Sequence, residues 1–394
     1  MRLAAVATVS ALAAVLLSLG IAARSGWFDG APRTVVATRS AQLGGSTPAR
    51  ATLASARPLV GNGFDPAAIY AARSPGVVTI YSDYPDGSEA QGSGFVVTRS
   101  GLILTSSHVI TTAGGSGQEG TAAKADAVYV EFADRDRVPA SIVGWDLFDD
   151  VGVIKVDPGL HPLAPVPLGD SGAVRVGEPV AAIGSPFGNA NSLAVGVVSG
   201  IRRSIDSLTS SFRLADAIQV DAPINHGNSG GPVFDADGQV IGIAAQIRSD
   251  SGLAEGVGFA VPIDSARRSL GEIVARGRVD YAFLGVRTLD LTPSLSRSLK
   301  LAVKRGALVT TVEPGSAAEK AGLRGGSGEV DVNGIAVRPG GDVILAIDGA
   351  RVRAGDDLAR IVSEQLHPGQ KVTVALLRDA KRLEITLTVG ARQR

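Results

Sequence analysis

Short apolar runs separated by turn residues dominate the chain from residue 77 to residue 244. They fall at 77–81, 95–97, 102–104, 128–132, 151–156, 180–183, 194–198 and 240–244, and valine and isoleucine fill most of them. β-Branched side chains suit a pleated surface, and runs this short, bounded by Gly, Pro, Asn and Asp, read as strands of an all-β barrel architecture. The period changes after residue 263. Ala266, Leu270, Ile273 and Val274 fall on one helical face, with Asp264 placed to cap the start and Gly277 to end it. A helix over 264–277, packed on the barrels and leading into a second domain, is expected. In that domain Ser316-Ala-Ala-Glu319 reads as a capping box opening a short helix, and 356–366 as a longer helix.

The N-terminal part follows other rules. Residues 3–23 are a nearly uncharged apolar run behind Arg2, long enough as a helix to cross roughly 30 Å of hydrocarbon. Such a run directs export. Its length favours a retained anchor, while Gly20-Ile-Ala22 offers the small residues of a cleaved signal peptide, and in either case Arg2 stays inside. Residues 24–62, rich in Ser, Thr, Ala, Arg, Gly and Pro without periodicity, read as a flexible linker. The expected organisation is therefore 1–23 signal or anchor, 24–62 linker, 63–265 barrel domain, 266–280 linker helix and 281–394 second domain. The Gly-rich 114–120 reads as a surface loop, and 201–216 as a polar, flexible loop.

Composition removes several function classes. Lys plus Arg equals Asp plus Glu at 38 each, so no basic field attracts nucleic acid, and none is expected as a partner. The absence of cysteine excludes disulfides, a thiol nucleophile and thiolate metal sites. No phosphate loop of the Gly-x-x-x-x-Gly-Lys type occurs, which argues against ATP-driven work. No cofactor and no metal are expected.

Candidate chemistry concentrates in Asp221-Ala-Pro-Ile-Asn-His-Gly-Asn-Ser229-Gly-Gly-Pro232, where one serine sits in a glycine-rich turn just before an apolar run. A serine hydroxyl attacks a carbonyl only with a base to take its proton and donors to receive the oxyanion, and glycines let the N–H groups of Gly227 and Ser229, with Asn228 as a further candidate, converge. Upstream, Gly101-Leu-Ile-Leu-Thr-Ser-Ser-His108 ends an apolar run on a histidine, and Asp150 precedes the run 151–156. The order His108, Asp150, Ser229 is that of chymotrypsin-like enzymes. His161 and His367 each precede a proline and read as loop residues, and His226 as a loop side chain near the cleft. Asp149 rivals Asp150, but in extended chain only one of the two side chains can face His108.

The segments Gly92-Ser-Gly-Phe95, Thr105-Ser-Ser-His108-Val-Ile110, Asp150-Val-Gly-Val-Ile-Lys155, Ala182-Ile-Gly-Ser-Pro-Phe-Gly188, Gly196-Val-Val-Ser199, the serine motif and Gly258-Phe-Ala-Val-Pro262 occur in that order. With them the chain resembles the HtrA/Deg proteases, over roughly residues 65 to 390. The resemblance implies a mainly β fold, two six-stranded β-barrels of the chymotrypsin type with the site between them, followed by a C-terminal PDZ domain of α+β type. It selects Asp150 over Asp149, leaves Asp146 a structural turn residue, and implies a homotrimer. The family usually has Asn-Asn before the histidine where this chain has Ser106-Ser107, a change not expected to disturb the base. Digestive relatives place an aspartate before the nucleophile; Asn228 carries no charge, so activation by propeptide cleavage is not expected. Pro223 lies where trypsin-like enzymes carry a pocket-floor acid, with Ala222 and Ile224 beside it, so cleavage is expected after small or medium aliphatic residues. The connection 82–92 is short where some relatives carry a site-blocking loop, and 201–216 lies at the family's sensor loop. Tyr281, Ala282, Phe283, Leu284, Gly285 and Val286 are expected to form the PDZ carboxylate-binding loop and strand, opposite the helix 356–366 and with no basic selector on either flank. Residues 324–340 are an insertion of unread purpose.

The expectation from sequence is an ATP-independent extracytoplasmic serine endopeptidase acting on unfolded or membrane proteins, with peptide C-termini bound at the PDZ domain and the membrane contacted by the N-terminal run. A chaperone or PDZ-based sensor with vestigial catalysis is the alternative. A highly specific signalling protease would share the chemistry and differ only in its targets.

Overall fold

The computed structural model describes residues 63–113, 122–185, 191–210, 213–225, 227–245 and 257–392. The expected anchor, the linker 24–62, the loop 114–120 and His226 lie outside them. No helix of the described residues is long and apolar enough to cross a membrane.

Helix α1 (Pro66–Arg73), capped by the Asp65 side chain on the Ala68 N–H, leads into the first barrel. Its strands are β1 (Val77–Asp83), β2 (Glu89–Val96), β3 (Leu102–Thr105), β4 (Ala127–Glu131), β5 (Arg137–Asp146) and β6 (Val151–Val156), and they close in the order β1-β2-β3-β6-β5-β4. The one-turn helix α2 (Ser107–Ile110) follows β3. The second barrel closes as β10-β11-β12-β9-β8-β7, with β7 (Pro179–Gly184), β8 (Ser192–Asp206), β9 (Arg213–Val220), β10 (Pro232–Phe234), β11 (Val240–Ala245) and β12 (Gly258–Pro262). Each expected apolar run lies in or against one of these strands. Their inward side chains, among them Phe95, Leu104, Val153, Ile183, Phe234 and Ile243, are fully or nearly fully buried and form a core that runs from one barrel into the other. Burial of such side chains, at roughly 1.5–3 kcal/mol each, is what the short strands contribute.

The segment 201–216 is not a loop. Most of it continues β8 and β9 as a long hairpin, with Arg203 opposite Ala217, Ile205 opposite Leu214 and Asp206 opposite Arg213. Three register shifts and the positive φ of Arg202 (57°) and Asp216 (62°) break its alternation of faces, which explains why its sequence shows no strand period.

Helix α3 (Ile263–Arg276) follows β12 and ends on Gly277 at φ 72°, as its sequence predicts. Two details differ. Asp264 lies inside the first turn and accepts hydrogen bonds from the Ser171 N–H and hydroxyl instead of capping, and Val274 is 53 % exposed while Ala266 and Ile273 are buried.

The C-terminal domain is a mixed α+β unit with its own core. Short β13 (Ala282–Phe283) pairs with β22 (Gly390–Ala391). The main sheet runs β14 (Val286–Leu291), β15 (Gly306–Val312), β18 (Val343–Ile347), β20 (Lys371–Arg378) and β21 (Lys381–Thr388), with β19 (Ala350–Arg351) beside β18. Helices α4 (Pro293–Ser298), α5 (Ala317–Lys320) and α6 (Gly355–Gln365) pack around it. Ser316 caps α5 by accepting from the Glu319 N–H. The insertion 324–340 contains a small hairpin, β16 (Val330–Val332) with β17 (Ile335–Val337).

Candidate active site

Barrel closure brings three distant segments to one place. His108 sits on α2 directly after β3, and the carbonyls of Val109 and Thr111 both accept from the buried Tyr84 hydroxyl at 3.0 Å, which fixes that turn. Asp150 occupies the tight turn before β6 at φ 51°, a conformation that costs a non-glycine residue about 1 kcal/mol or more and persists only where its surroundings hold it. They do hold it. Asp150 Oδ2 lies 2.8 Å from His108 Nδ1, and its Oδ1 accepts from the Ser107 hydroxyl at 2.7 Å and the His108 N–H at 3.1 Å. Burial alone would raise the Asp150 pKa, yet the facing His108 charge and these bonds outweigh it and hold the carboxyl below its usual range. For His108 burial opposes protonation, but the Asp150 charge and hydrogen bond prevail and raise its pKa. The geometry therefore fixes Nδ1–H toward Asp150 and leaves Nε2 for a proton. Asp149 turns away and pairs with Arg268 at 2.8 Å, so only Asp150 faces the histidine.

Ser229 is buried, and its hydroxyl has no hydrogen-bond partner among the described residues. It lies in a turn with Gly227 at φ 96° and Gly230 at φ 85°, where a Cβ on Gly230 would stand 2.3 Å from the Ser93 carbonyl oxygen. The N–H groups of Gly227 and Ser229 are not taken by any backbone carbonyl of the described residues. Asn228 does not join them. Its N–H donates to the Asn225 carbonyl at 3.0 Å, its side-chain amide donates to the Pro223 carbonyl, and the expectation of a third donor there is corrected to two.

Several residues that hold this turn lie inside the family-like segments but have no role legible from sequence. Ser93 in β2 donates its hydroxyl to the Gly227 carbonyl at 2.5 Å, accepts from the Ser185 N–H at 2.9 Å, and donates its own N–H to the Ser229 carbonyl at 2.8 Å. The first barrel thus clamps the turn of the second. Ser107, whose hydroxyl occupies the second oxygen of Asp150, does more than stand in for another small polar residue. Of the pocket residues, Ala222 is buried in the second-barrel core and Ile224 is half-buried against it, while 186–190 and 246–256 lie outside the described residues.

A second buried node governs the turn that carries Asp150. Asp146 Oδ1 accepts from the Phe148 N–H, the bond expected of a turn residue, but its Oδ2 accepts from the Ser269 hydroxyl of α3 and the Tyr281 hydroxyl, each at 2.6 Å. Desolvation, with the Asp149 charge adding, pushes the Asp146 carboxyl up to about 6. Tyr281 is therefore not part of a peptide-binding loop. It is buried at the junction, with the Arg268 guanidinium over its ring, and Ala282 is also buried and paired with Ala391.

The groove of the C-terminal domain, about 510 Å³, is lined by the other four expected residues, Phe283, Leu284, Gly285 and Val286, and across from them by Leu358, Ala359 and Val362 of α6. Among the described residues, strand β14 pairs only with β15, so its other edge, toward this groove, is unpaired there. Basic residues do reach it: Arg287 from β14, and Arg213 from the long hairpin of the barrel domain, line the same space. No group of three or more metal-ligating side chains occurs among the described residues.

Comparisons agree with this architecture. The family model for a trypsin-like peptidase domain matches residues 92–243, and that for a PDZ domain matches 282–389. Protease Do-like 1, chloroplastic, of Arabidopsis thaliana is 38% identical over 307 residues, covering 78% of this chain and 64% of that protein. The probable periplasmic serine endoprotease DegP-like of Brucella suis biovar 1 (strain 1330) is 34% identical over 302 residues, 77% of this chain and 53% of its own. This chain spans between about half and two-thirds of the length of these curated relatives. Among solved structures, the HtrA-type protease AlgW with tripeptide superposes with a TM-score of 0.69 at 33% identity, covering 84% of this chain and 98% of that one.

Proposed function

The chain belongs to the HtrA family of trypsin-like serine proteases with a PDZ domain, and on that premise we propose that it is an ATP-independent serine endopeptidase. The observation that carries this reading is the convergence of a polarised His108–Asp150 pair, 2.8 Å apart, with a serine in a turn where two N–H groups are bonded to no backbone carbonyl of the described residues. A vestigial site would have no need of Ser107 and the His108 N–H on one carboxylate oxygen and the imidazole on the other.

The steps follow from these atoms. Ser229 Oγ rotates toward His108 Nε2, gives it the proton and bonds to the scissile carbonyl carbon, and the oxygen that becomes negative is received by the Gly227 and Ser229 N–H groups. Asp150 holds the imidazolium through Nδ1–H without taking its proton. Collapse of the tetrahedral intermediate breaks the C–N bond, and the amine leaves with the proton from Nε2. Water, deprotonated by the same nitrogen, then splits the acyl ester and frees Ser229. Cleavage falls after Val, Ala or Ile, because Ala222, Pro223 and Ile224 bring no counter-charge for Lys or Arg, and full activity needs no propeptide removal, because Asn228 is uncharged.

Substrates are unfolded or membrane proteins. The unpaired edge of β14 supports capture of an extended C-terminus by strand addition, with Phe283, Leu284, Gly285 and Val286 at the carboxylate. The periplasmic names of bacterial relatives support an extracytoplasmic location, with 3–23 as anchor or cleaved signal. A homotrimer is proposed on the family resemblance. The test is digestion of unfolded casein by the parent and by Ser229→Ala, with the cut sites identified. Loss of cleavage in the variant with aliphatic residues before the cuts is the expected result; near-native digestion by Ser229→Ala ends the reading.

A further inference from the structure

The chain as a whole is charge-balanced, yet one surface is not. On the PDZ domain, outside the peptide groove, a cleft of about 1010 Å³ is lined by Lys304, Arg305, Arg351, Arg353 and Arg382, against a single carboxylate, Glu384. None of the five cations is in an ion pair among the described residues, although thirteen other pairs form there. Two acids close in sequence are engaged with backbone instead: Asp357 accepts from the Arg353 N–H and Asp348 from the Thr373 N–H. The remaining lining is apolar, with Val303, Leu345 and Leu383 among it, and Leu383 is 37% exposed. Every lining residue lies between 293 and 384, so the cleft belongs to the PDZ domain alone.

We propose that this cleft is a second docking site, for an extended polypeptide segment that alternates acidic and apolar side chains. Charge complementarity selects the acidic partner. Concavity and an apolar lining select a polypeptide over a bilayer, which meets flat or protruding surfaces. The lining holds no Phe, Tyr or Trp on which bases stack, which disfavours single-stranded nucleic acid. A segment held there and a C-terminus held in the β14–α6 groove are separate contacts on one domain, so a chain carrying both features is retained more strongly than either feature provides.

The probe is a fluorescein-labelled decapeptide of alternating Glu and Leu, amidated at its C-terminus so that it offers no carboxylate to the groove, titrated into full-length Ser229→Ala protein by fluorescence anisotropy. Saturable binding is expected, weakening about tenfold or more between 0.1 M and 1 M salt, where the screening length falls from about 10 Å to about 3 Å. The double variant R351E/R382E, with circular dichroism matching the parent, is expected to bind at least about tenfold more weakly, since two exposed charge pairs are lost and replaced by repulsion. A Leu358→Asp variant, altered in the groove, is expected to bind as the parent does. Equal binding by R351E/R382E, equal binding of a Lys-Leu peptide, or displacement of the Glu-Leu peptide by duplex DNA or anionic lipid vesicles at lower concentration overturns the proposal.

Discussion

Replacing Ser93 with alanine removes one oxygen from the interface between the barrels. The Ser93 N–H bond to the Ser229 carbonyl survives because it is backbone, but the 2.5 Å bond to the Gly227 carbonyl and the 2.9 Å bond from the Ser185 N–H are both deleted. Ser185 is fully buried, so its N–H is left without an acceptor at a cost of about 1–3 kcal/mol, while the half-buried Gly227 carbonyl can turn to water and loses about 1 kcal/mol. The expected loss of stability is thus about 2–4 kcal/mol. Catalysis should suffer separately. Gly227 has no side chain to restrain it at φ 96°, and the peptide that follows it is held by the Ser93 hydroxyl on its carbonyl and the Asn225 carbonyl on its N–H, so freeing the carbonyl lets the proposed donor N–H wander from the oxyanion position. Outright loss of such a donor lowers kcat about 100- to 1,000-fold, and a donor loosened but present is expected to cost about tenfold with KM little changed. Hydrolysis of a short chromogenic peptide, measured well below the melting transition, separates the two effects. If kcat stays within about twofold of the parent while the melting temperature falls, the clamp serves folding alone and the argument for positioning fails.

Three further outcomes are expected. Tyr281→Phe deletes the 2.6 Å bond to Asp146 and leaves the buried carboxylate with the Ser269 hydroxyl alone on that oxygen, so a loss of about 1–3 kcal/mol should appear in denaturant unfolding, and an unchanged midpoint would refute the node. Because Asp150 raises the His108 pKa, and the imidazole must be neutral to accept the serine proton, kcat/KM should rise with pH through a value above 6.5, and Asp150→Asn should abolish most of the rate; a profile flat from pH 6 to 8 contradicts this. Burial first and the Asp216 charge second push Glu364 up to about 7, so the folded state binds its proton more tightly than the unfolded chain does, and stability rises as pH falls from 8 toward the unfolded value near 4.5. Asp146 and His108 act in the same direction over this range, and melting should be higher at pH 5.5 than at pH 8, with Glu364→Gln removing about 1–2 kcal/mol of the difference.

The reach of the sequence follows the distance over which each feature is encoded. The barrel strands were legible because each apolar run is local, and His108, Asp150 and Ser229 because each stands in a short motif with its own backbone requirement. The roles of Ser93 and Tyr281 were not, although both stand in recognisable segments, since their hydroxyls find partners 134 and 135 residues away and nothing nearby marks those contacts. The resemblance of residues 281–286 to a PDZ loop draws Tyr281 into it, whereas its hydroxyl finds Asp146 in another domain. The hairpin at 201–216 was hidden by its own irregularity, two left-handed residues and shifted register in place of clean alternation. Asn228 could be excluded as a donor only once the Asn225 carbonyl was seen to occupy its N–H.

Acting on unfolded chains as proposed, the protein would meet, at high local concentration, the very strands that zip onto any exposed sheet margin. Both barrels close on themselves and offer no margin. In the main sheet of the third unit, one margin is β21, where Lys381, Arg382 and Glu384 stand exposed, charges that discourage a stray strand from pairing. The other is β14, and it opens into a groove walled by α6. Within these three main sheets, a sticky incoming chain therefore has one place to attach, and the architecture turns the hazard of aggregation into an address.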